Sequence, residues 1–248
     1  MSRSQTDHPG FAETLRALNG AQKPGHGVPA YTRWVNRRAA RVFAAGAVAL
    51  GIGPNGVTAV SALLSAGAIA VLLLADPTVL TAVIAALLFA LGYAMDSADG
   101  QVARVTGASS PGGEWLDHVV DSVRVPAIHL TVAVGFLRHP EHFPGHGWGS
   151  AWMPLLFCVV AVGHFMSQIL AEQLRRTRRT AAPSSGGTLR SFLNLHMDAG
   201  TLCWIFLLWG FGTVFVIAYG LLLAATVLTV AVSMRRKYQS LNTPGDPS

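Results

Sequence analysis

DSADGQVARVTGASSPGGEWLDHVVD, running from Asp96 to Asp121, holds five of the chain's twelve acidic residues between segments that read as membrane. Asp96 and Asp99 are three positions apart, and Gly100 and Ala103 continue the same helical face. Gly113, Asp117 and Asp121 recur at four-residue steps, which stacks them on one face of a second helix. The turn between them is rich in Gly, Ser and Pro, so the two helices would aim four carboxylates at one point. Four such groups repel one another and do not stay ionised together in a low-dielectric site unless cations neutralise them. All-oxygen ligation, with no cysteine or well-placed histidine, predicts Mg²⁺ or Mn²⁺ and not Zn²⁺.

Composition points to the bilayer. Of 248 residues, 51% are hydrophobic and 12% charged, and mean hydropathy is +0.43. Soluble domains carry about 25% charged residues, twice this share. The net charge of +6 lies in short basic segments flanking apolar runs. That pattern orients a membrane protein and attracts anionic lipid, and no nucleic-acid partner is expected. Cys158 and Cys203 sit in apolar runs and read as small core residues. The first 30 residues lack an apolar core segment, so no signal peptide is expected.

Outward from the motif, residues 1–30 read as a cytoplasmic tail with a short helix around Phe11–Leu18. In residues 31–53, Tyr31, Trp34, Arg33, Arg37, Arg38 and Arg41 precede an Ala/Val/Leu run, a pattern predicting a helix in the interface that Pro54 breaks. Spans follow at Val57–Ala75, at Thr78–Met95 leading into the motif, from the motif's second half to about Leu137, and at Ala151–Ala171. Ala199–Met234 has 36 uncharged residues, ~54 Å as helix, too long for one crossing of ~30 Å. Two spans with a turn near Gly210–Thr213 fit it. The expected fold class is an all-α integral membrane protein of six transmembrane helices behind a cytoplasmic interfacial helix. Its membrane domain would cover 31–238, with 239–248 a C-terminal tail. With the N-terminus inside, every Lys or Arg except Arg138 lies on the cytoplasmic side, and the Asp cluster with them.

Other polar residues carry weaker signals. His139, His142 and His146 are expected to be solvated in an outer loop. His118 points off the Asp face, and His164 reads as a bundle histidine. Asp198 can cap a helix or orient a polyol. Arg175, Arg176, Arg178, Arg179 and Arg190 anchor the cytoplasmic mouth, some of them able to hold a phosphorylated acceptor.

Written D-x2-D-G-x2-A-R-x8-G-x3-D-x3-D, the motif matches at every fixed position the signature of the CDP-alcohol phosphotransferases. Asp96, Asp99, Gly100, Ala103, Arg104, Gly113, Asp117 and Asp121 carry the resemblance, with Pro54, Asn55, Thr58 and Ser61 adding to it more weakly. It implies a CDP-alcohol attacked by a second alcohol with release of CMP, in phospholipid biosynthesis. It further implies two divalent cations on Asp96, Asp99, Asp117 and Asp121, Asp121 as base, and CDP-alcohol binding by Thr58, Gly100, Ala103, Arg104 and Gly113. A CDP-diacylglycerol donor, a plasma-membrane location and a homodimer are expected from it as well. The acceptor is open among inositol, inositol phosphate, glycerol phosphate and other alcohols. A cation transporter using the Asp cluster is the competing class, but it has no need of the Gly, Ala and Arg offsets, and the second half holds no repeat of the motif.

Overall fold

The structure is a computed structural model that describes residues 9–20, 28–144, 148–178 and 188–242. Those residues are predominantly helical, with no strand among them. In order they form α1 (Phe11–Gly20), a π-helical turn (Thr32–Asn36) running into α2 (Arg37–Ala49), α3 (Pro54–Leu74), α4 (Val79–Thr106), α5 (Pro111–Arg138) and α6 (Trp148–Arg178). Then come α7 (Thr188–Leu193), α8 (Ala199–Ile205) with a 3₁₀ turn on each side, and α9 (Gly212–Asn242). Five of these helices, α3, α4, α5, α6 and α9, are long and apolar enough to cross a membrane. The chain is thus an all-helical, multi-pass membrane protein by length and composition. The expected break in the last long apolar run is present: Ala199–Leu208 is a short apolar helix, and α9 starts at Gly212. α9 also continues to Asn242, into the segment expected to be a tail.

Glycine ends the helix before α3, and proline starts α3. After Ala49, Gly51 takes φ +70°, its N–H bonding the Val48 carbonyl while Ile52 N–H reaches Ala47 O at 2.8 Å. This is a Schellman stop, in which the missing Cβ permits the left-handed residue. Pro54 is the first residue of α3, where its fixed φ suits a helix start and its lost N–H costs nothing. The break expected at Pro54 is therefore made three residues earlier.

Two compact units divide the chain: residues 1–68, 84–121 and 187–204 in one, 69–83, 122–186 and 205–248 in the other. In the first, α2 turns a face of small residues (Ala40, Ala44, Ala45, Ala47, Val48) into a core with Leu18 of α1, Val57 of α3, and Ala98 and Val102 of α4. The short helix expected around Phe11–Leu18 is present as α1, and it is docked: Leu18 is wholly buried, and Arg41 bonds the Asn19 side chain.

The second unit is built on aromatic packing. Phe143 lies 4.8 Å from Phe136 and 4.7 Å from Trp209, and Phe215 meets Trp209 edge to face at 5.0 Å. Buried His129 bonds the Tyr219 hydroxyl at 2.6 Å and stacks on Phe157. Two of the expected outer-loop histidines depart from the solvated reading. His142 Nε2 bonds the Trp209 carbonyl at 3.0 Å, and His139 pairs with Glu141 at 3.7 Å. A loop that closes over an aromatic cluster has backbone carbonyls to satisfy, and His142 meets one of them. His146 and Arg179, and the side chains of Arg178 and Arg190, lie outside the described residues.

Candidate active site on the α4–α5 hairpin

Local sequence explains the hairpin. α4 stops at Gly107, φ +68°, with Ala108 N–H bonded to Ala103 O at 2.9 Å, a second glycine stop of the kind seen at Gly51. Ser110 then caps α5, its Oγ accepting from Gly113 N–H at 3.1 Å, and Pro111 takes the first helical position. Glu114 in the first turn suits the helix dipole. The four residues 107–110 thus reverse the chain and set the two faces of the motif against each other.

Carboxylate oxygens of Asp96, Asp99 and Asp117 all lie within 4.8 Å of one another. Asp99 is 7% exposed, and the other two are half-buried. At that separation two charges repel by about 3 kcal/mol at an effective dielectric of ~20. A divalent cation converts that repulsion into binding energy, and the donor set fits one. It is all oxygen and hard, and oxygens around a Mg²⁺ at ~2.1 Å lie at most ~4.2 Å apart, close to the spacing here. Among the described residues, the group that meets this spacing has these three members, without Asp121. Asp121 is half-buried one turn further along α5.

Neighbouring residues shape the group. Thr58 Oγ1 donates to Asp99 Oδ2 at 2.6 Å and also lies 3.1 Å from its own helix at Pro54 O. Gly100 N–H donates to the other Asp99 oxygen. A Cβ on Gly100 would sit 3.3 Å from the Arg104 guanidinium, and one on Gly113 would sit 3.2 Å from Ser110 Oγ and 3.4 Å from Asn55 Oδ1. Both places are closely walled, so a side chain there would crowd the site. Arg104 Nε is buried with no hydrogen-bond partner in the structure. His118 faces Glu114 at 3.9 Å and takes no part in the group.

Behind α4 stands a second polar layer that the motif does not reveal. Asp198, 2% exposed, accepts from Thr32 N–H and Thr32 Oγ1, both at 2.8 Å, and from Gly200 N–H at 3.0 Å. It caps α8 and ties that helix to the π-helical turn. Thr32 Oγ1 also meets the Tyr93 hydroxyl at 2.6 Å, and Asn36 Nδ2 bonds Ser97 Oγ at 2.6 Å, so α4 is gripped on both sides of Asp96. Burial lowers the Arg37 guanidinium from its usual value, Tyr93 opposing and Arg33 adding to the shift. Gln101, inside the motif, holds the Arg37 carbonyl at 3.3 Å. The residues that missed notice on the sequence alone are Tyr93 and Ser97. Tyr93, one turn before Asp96, carried a signal by its spacing. Arg175 and Arg176 are engaged locally, with Ser240 Oγ at 2.8 Å and with Glu172 at 2.7 Å.

A family profile described as CDP-alcohol phosphatidyltransferase matches residues 52–234, about three quarters of the chain. No curated protein matches it.

Proposed function

The chain belongs to the CDP-alcohol phosphatidyltransferase family, whose members transfer substituted phosphate groups, and from that premise we propose that it moves a phosphatidyl group from CDP-diacylglycerol to a small polar alcohol in phospholipid biosynthesis. Inositol, inositol phosphate and glycerol phosphate are the acceptors that the basic character of the sequence favours. In the reaction the acceptor hydroxyl oxygen attacks the lipid-bearing phosphorus of the diphosphate. The bond from that phosphorus to the bridging oxygen breaks, CMP leaves with the electron pair, and the hydroxyl proton is taken up by a base.

One observation carries the reading: three carboxylates from a capped helical hairpin converge within 4.8 Å. Asp96, Asp99 and Asp117 would hold divalent cations, Mg²⁺ or Mn²⁺, with Asp121 beside them one turn further along α5. When bound, such ions neutralise the diphosphate and the charge that develops on the leaving group. Asp121 accepts the acceptor's proton, a role favoured by its place one turn beyond the group of three. Gly100, Ala103 and Gly113 let the nucleotide approach the helix backbones, a reading supported by small residues at these fixed offsets of the motif. Arg104 reaches the diphosphate, supported by its buried, unpartnered Nε.

Six crossings, with the short Ala199–Leu208 helix belonging to the fifth, keep the motif on the cytoplasmic side of the plasma membrane. The basic residues from Arg33 to Arg41 lay the helix before α3 in the interface. A homodimer accords with α6, whose apolar window is 11% buried inside the chain against 33–44% for the other four long helices. Purified protein given CDP-diacylglycerol, a polyol panel and Mg²⁺ should release CMP. The release should stop with EDTA and return with Mg²⁺ or Mn²⁺; full activity in chelator would overturn the reading.

A further inference from the structure

Thr58 and Asp99 are 41 positions apart, on α3 and α4, yet their side chains share the shortest bond to Asp99 that leaves its own helix, 2.6 Å from Oγ1 to Oδ2. Both are buried, at 3% and 7% exposure. A threonine hydroxyl has one proton to give. The competing acceptor, Pro54 O, lies further off at 3.1 Å and is uncharged, so the proton goes to the carboxylate. Gly100 N–H donates to Oδ1. Each oxygen of Asp99 therefore has one protein donor, and the pair fixes the plane of the carboxylate while leaving lone pairs toward Asp96 and Asp117.

The rotation of α3 that aims Thr58 is itself fixed. Thr58, Ser61 and Ser65 form one buried seam along α3. Ser61 Oγ donates to the Gly92 carbonyl of α4 at 2.9 Å. At Gly92 the helices come so close that a Cβ would lie 2.9 Å from Ser65 Oγ and 3.3 Å from Ser61 O. Small residues permit that approach. A slip of α3 by one residue would break the seam and swing Thr58 away from Asp99.

We propose that Thr58 is the positioning residue of the cation site, acting through Asp99 by presetting its carboxylate, and that it does not serve by lining the nucleotide. The inference rests on the reading of Asp96, Asp99 and Asp117 as cation ligands. Mn²⁺ titration of the full-length protein in nanodiscs, read by loss of the free-ion electron paramagnetic resonance signal, tests it without substrate. Removing an outer hydrogen-bond partner of a ligand typically costs 10–100-fold in metal affinity, and Thr58→Val should lose that much. Thr58→Ser keeps the hydroxyl and should stay within roughly threefold of wild type. In turnover, Thr58→Val should lose rate at low Mn²⁺ and recover as Mn²⁺ is raised, with KM for the CDP-alcohol unchanged at saturating metal. Should Thr58→Val not fold, Thr58→Ala against Thr58→Ser makes the same comparison. Wild-type Mn²⁺ affinity in the hydroxyl-free variant, or a raised donor KM at saturating metal, would overturn the proposal and leave the cation site standing. A wild-type protein that binds no Mn²⁺ and turns over in chelator would remove both.

Discussion

Asp117 and Asp121 face the same side of α5 one turn apart, yet Asp117 joins the group of three within 4.8 Å and Asp121 stands outside it. A carboxylate that ligates a dication has its pKa lowered and is a poor base, so separation from the group suits a proton acceptor. The two residues should then fail differently. Asp121→Asn should abolish transfer and leave CDP-diacylglycerol affinity at saturating Mg²⁺ within roughly tenfold, about 1.4 kcal/mol. Asp117→Asn should weaken nucleotide and metal together, since the nucleotide's diphosphate is held through the ions. Binding isotherms for both variants decide it, and equal, large losses in both would make Asp121 a ligand and remove it as base. Asp198 is a second case at this scale. Three donors within 3.0 Å bond its carboxylate, which makes it the helix cap that the sequence favoured over a polyol ligand.

At the scale of elements, the motif helices were legible because their logic is local. Three- and four-residue steps place Asp96, Asp99, Gly113, Asp117 and Asp121 on helix faces whatever surrounds them. A Gly-Ser-Pro turn can only be a stop and a restart. The stop depends on Gly107, whose φ of +68° costs a residue with a Cβ roughly 1–2 kcal/mol. Gly107→Ala should therefore lower the melting temperature in detergent and slow turnover together, because it pulls the two faces of the motif out of register, and Gly107→Asn should do so less. An unchanged melting temperature in Gly107→Ala would mean that the turn tolerates another path. What was not legible depends on rotation and on partners far away in sequence. Thr58 reads equally well as a residue bonding its own helix until Gly92 and the Ser61 seam fix which way α3 faces. The α1 helix was legible around Phe11–Leu18, but its docking was not, because ten residues carry no signal of the distant partners they pack against. Docking supplies what propensity lacks, for Leu18 closes a core with Val57, Ala98 and Val102. That core backs the very stretch of α4 that carries Asp99, although α1 and α2 precede the family match that begins at residue 52. Leu18→Ala should cost about 2–5 kcal/mol of stability, read by denaturation in detergent, and a loss under 0.5 kcal/mol would make α1 an appendage.

For the whole molecule the question is which face of the membrane carries the chemistry. In the proposed orientation the motif faces the cytoplasm, and Arg138 is the single base expected on the other side. The structure shows what Arg138 does there: its guanidinium bonds the Leu73 carbonyl near the end of α3. A cation at a helix C-terminus is stabilised by the dipole and the unpaired carbonyls, so Arg138 is spent on a structural bond and carries little weight as a topology signal against the rest. Two exposed positions report the orientation directly. Ser109 lies in the four-residue turn that joins the two halves of the motif, and Glu141, its side chain 74% exposed, lies just beyond the end of α5. Neither Cys158 nor Cys203 forms a disulfide, so both can be replaced to leave a cysteine-free background. In intact cells Glu141→Cys should react with an impermeant maleimide, and Ser109→Cys should react only after permeabilisation. The reverse pattern would put the Asp96–Asp117 hairpin on the outer face, where CTP-derived donors are not made, and would sink both the orientation and the proposed donor.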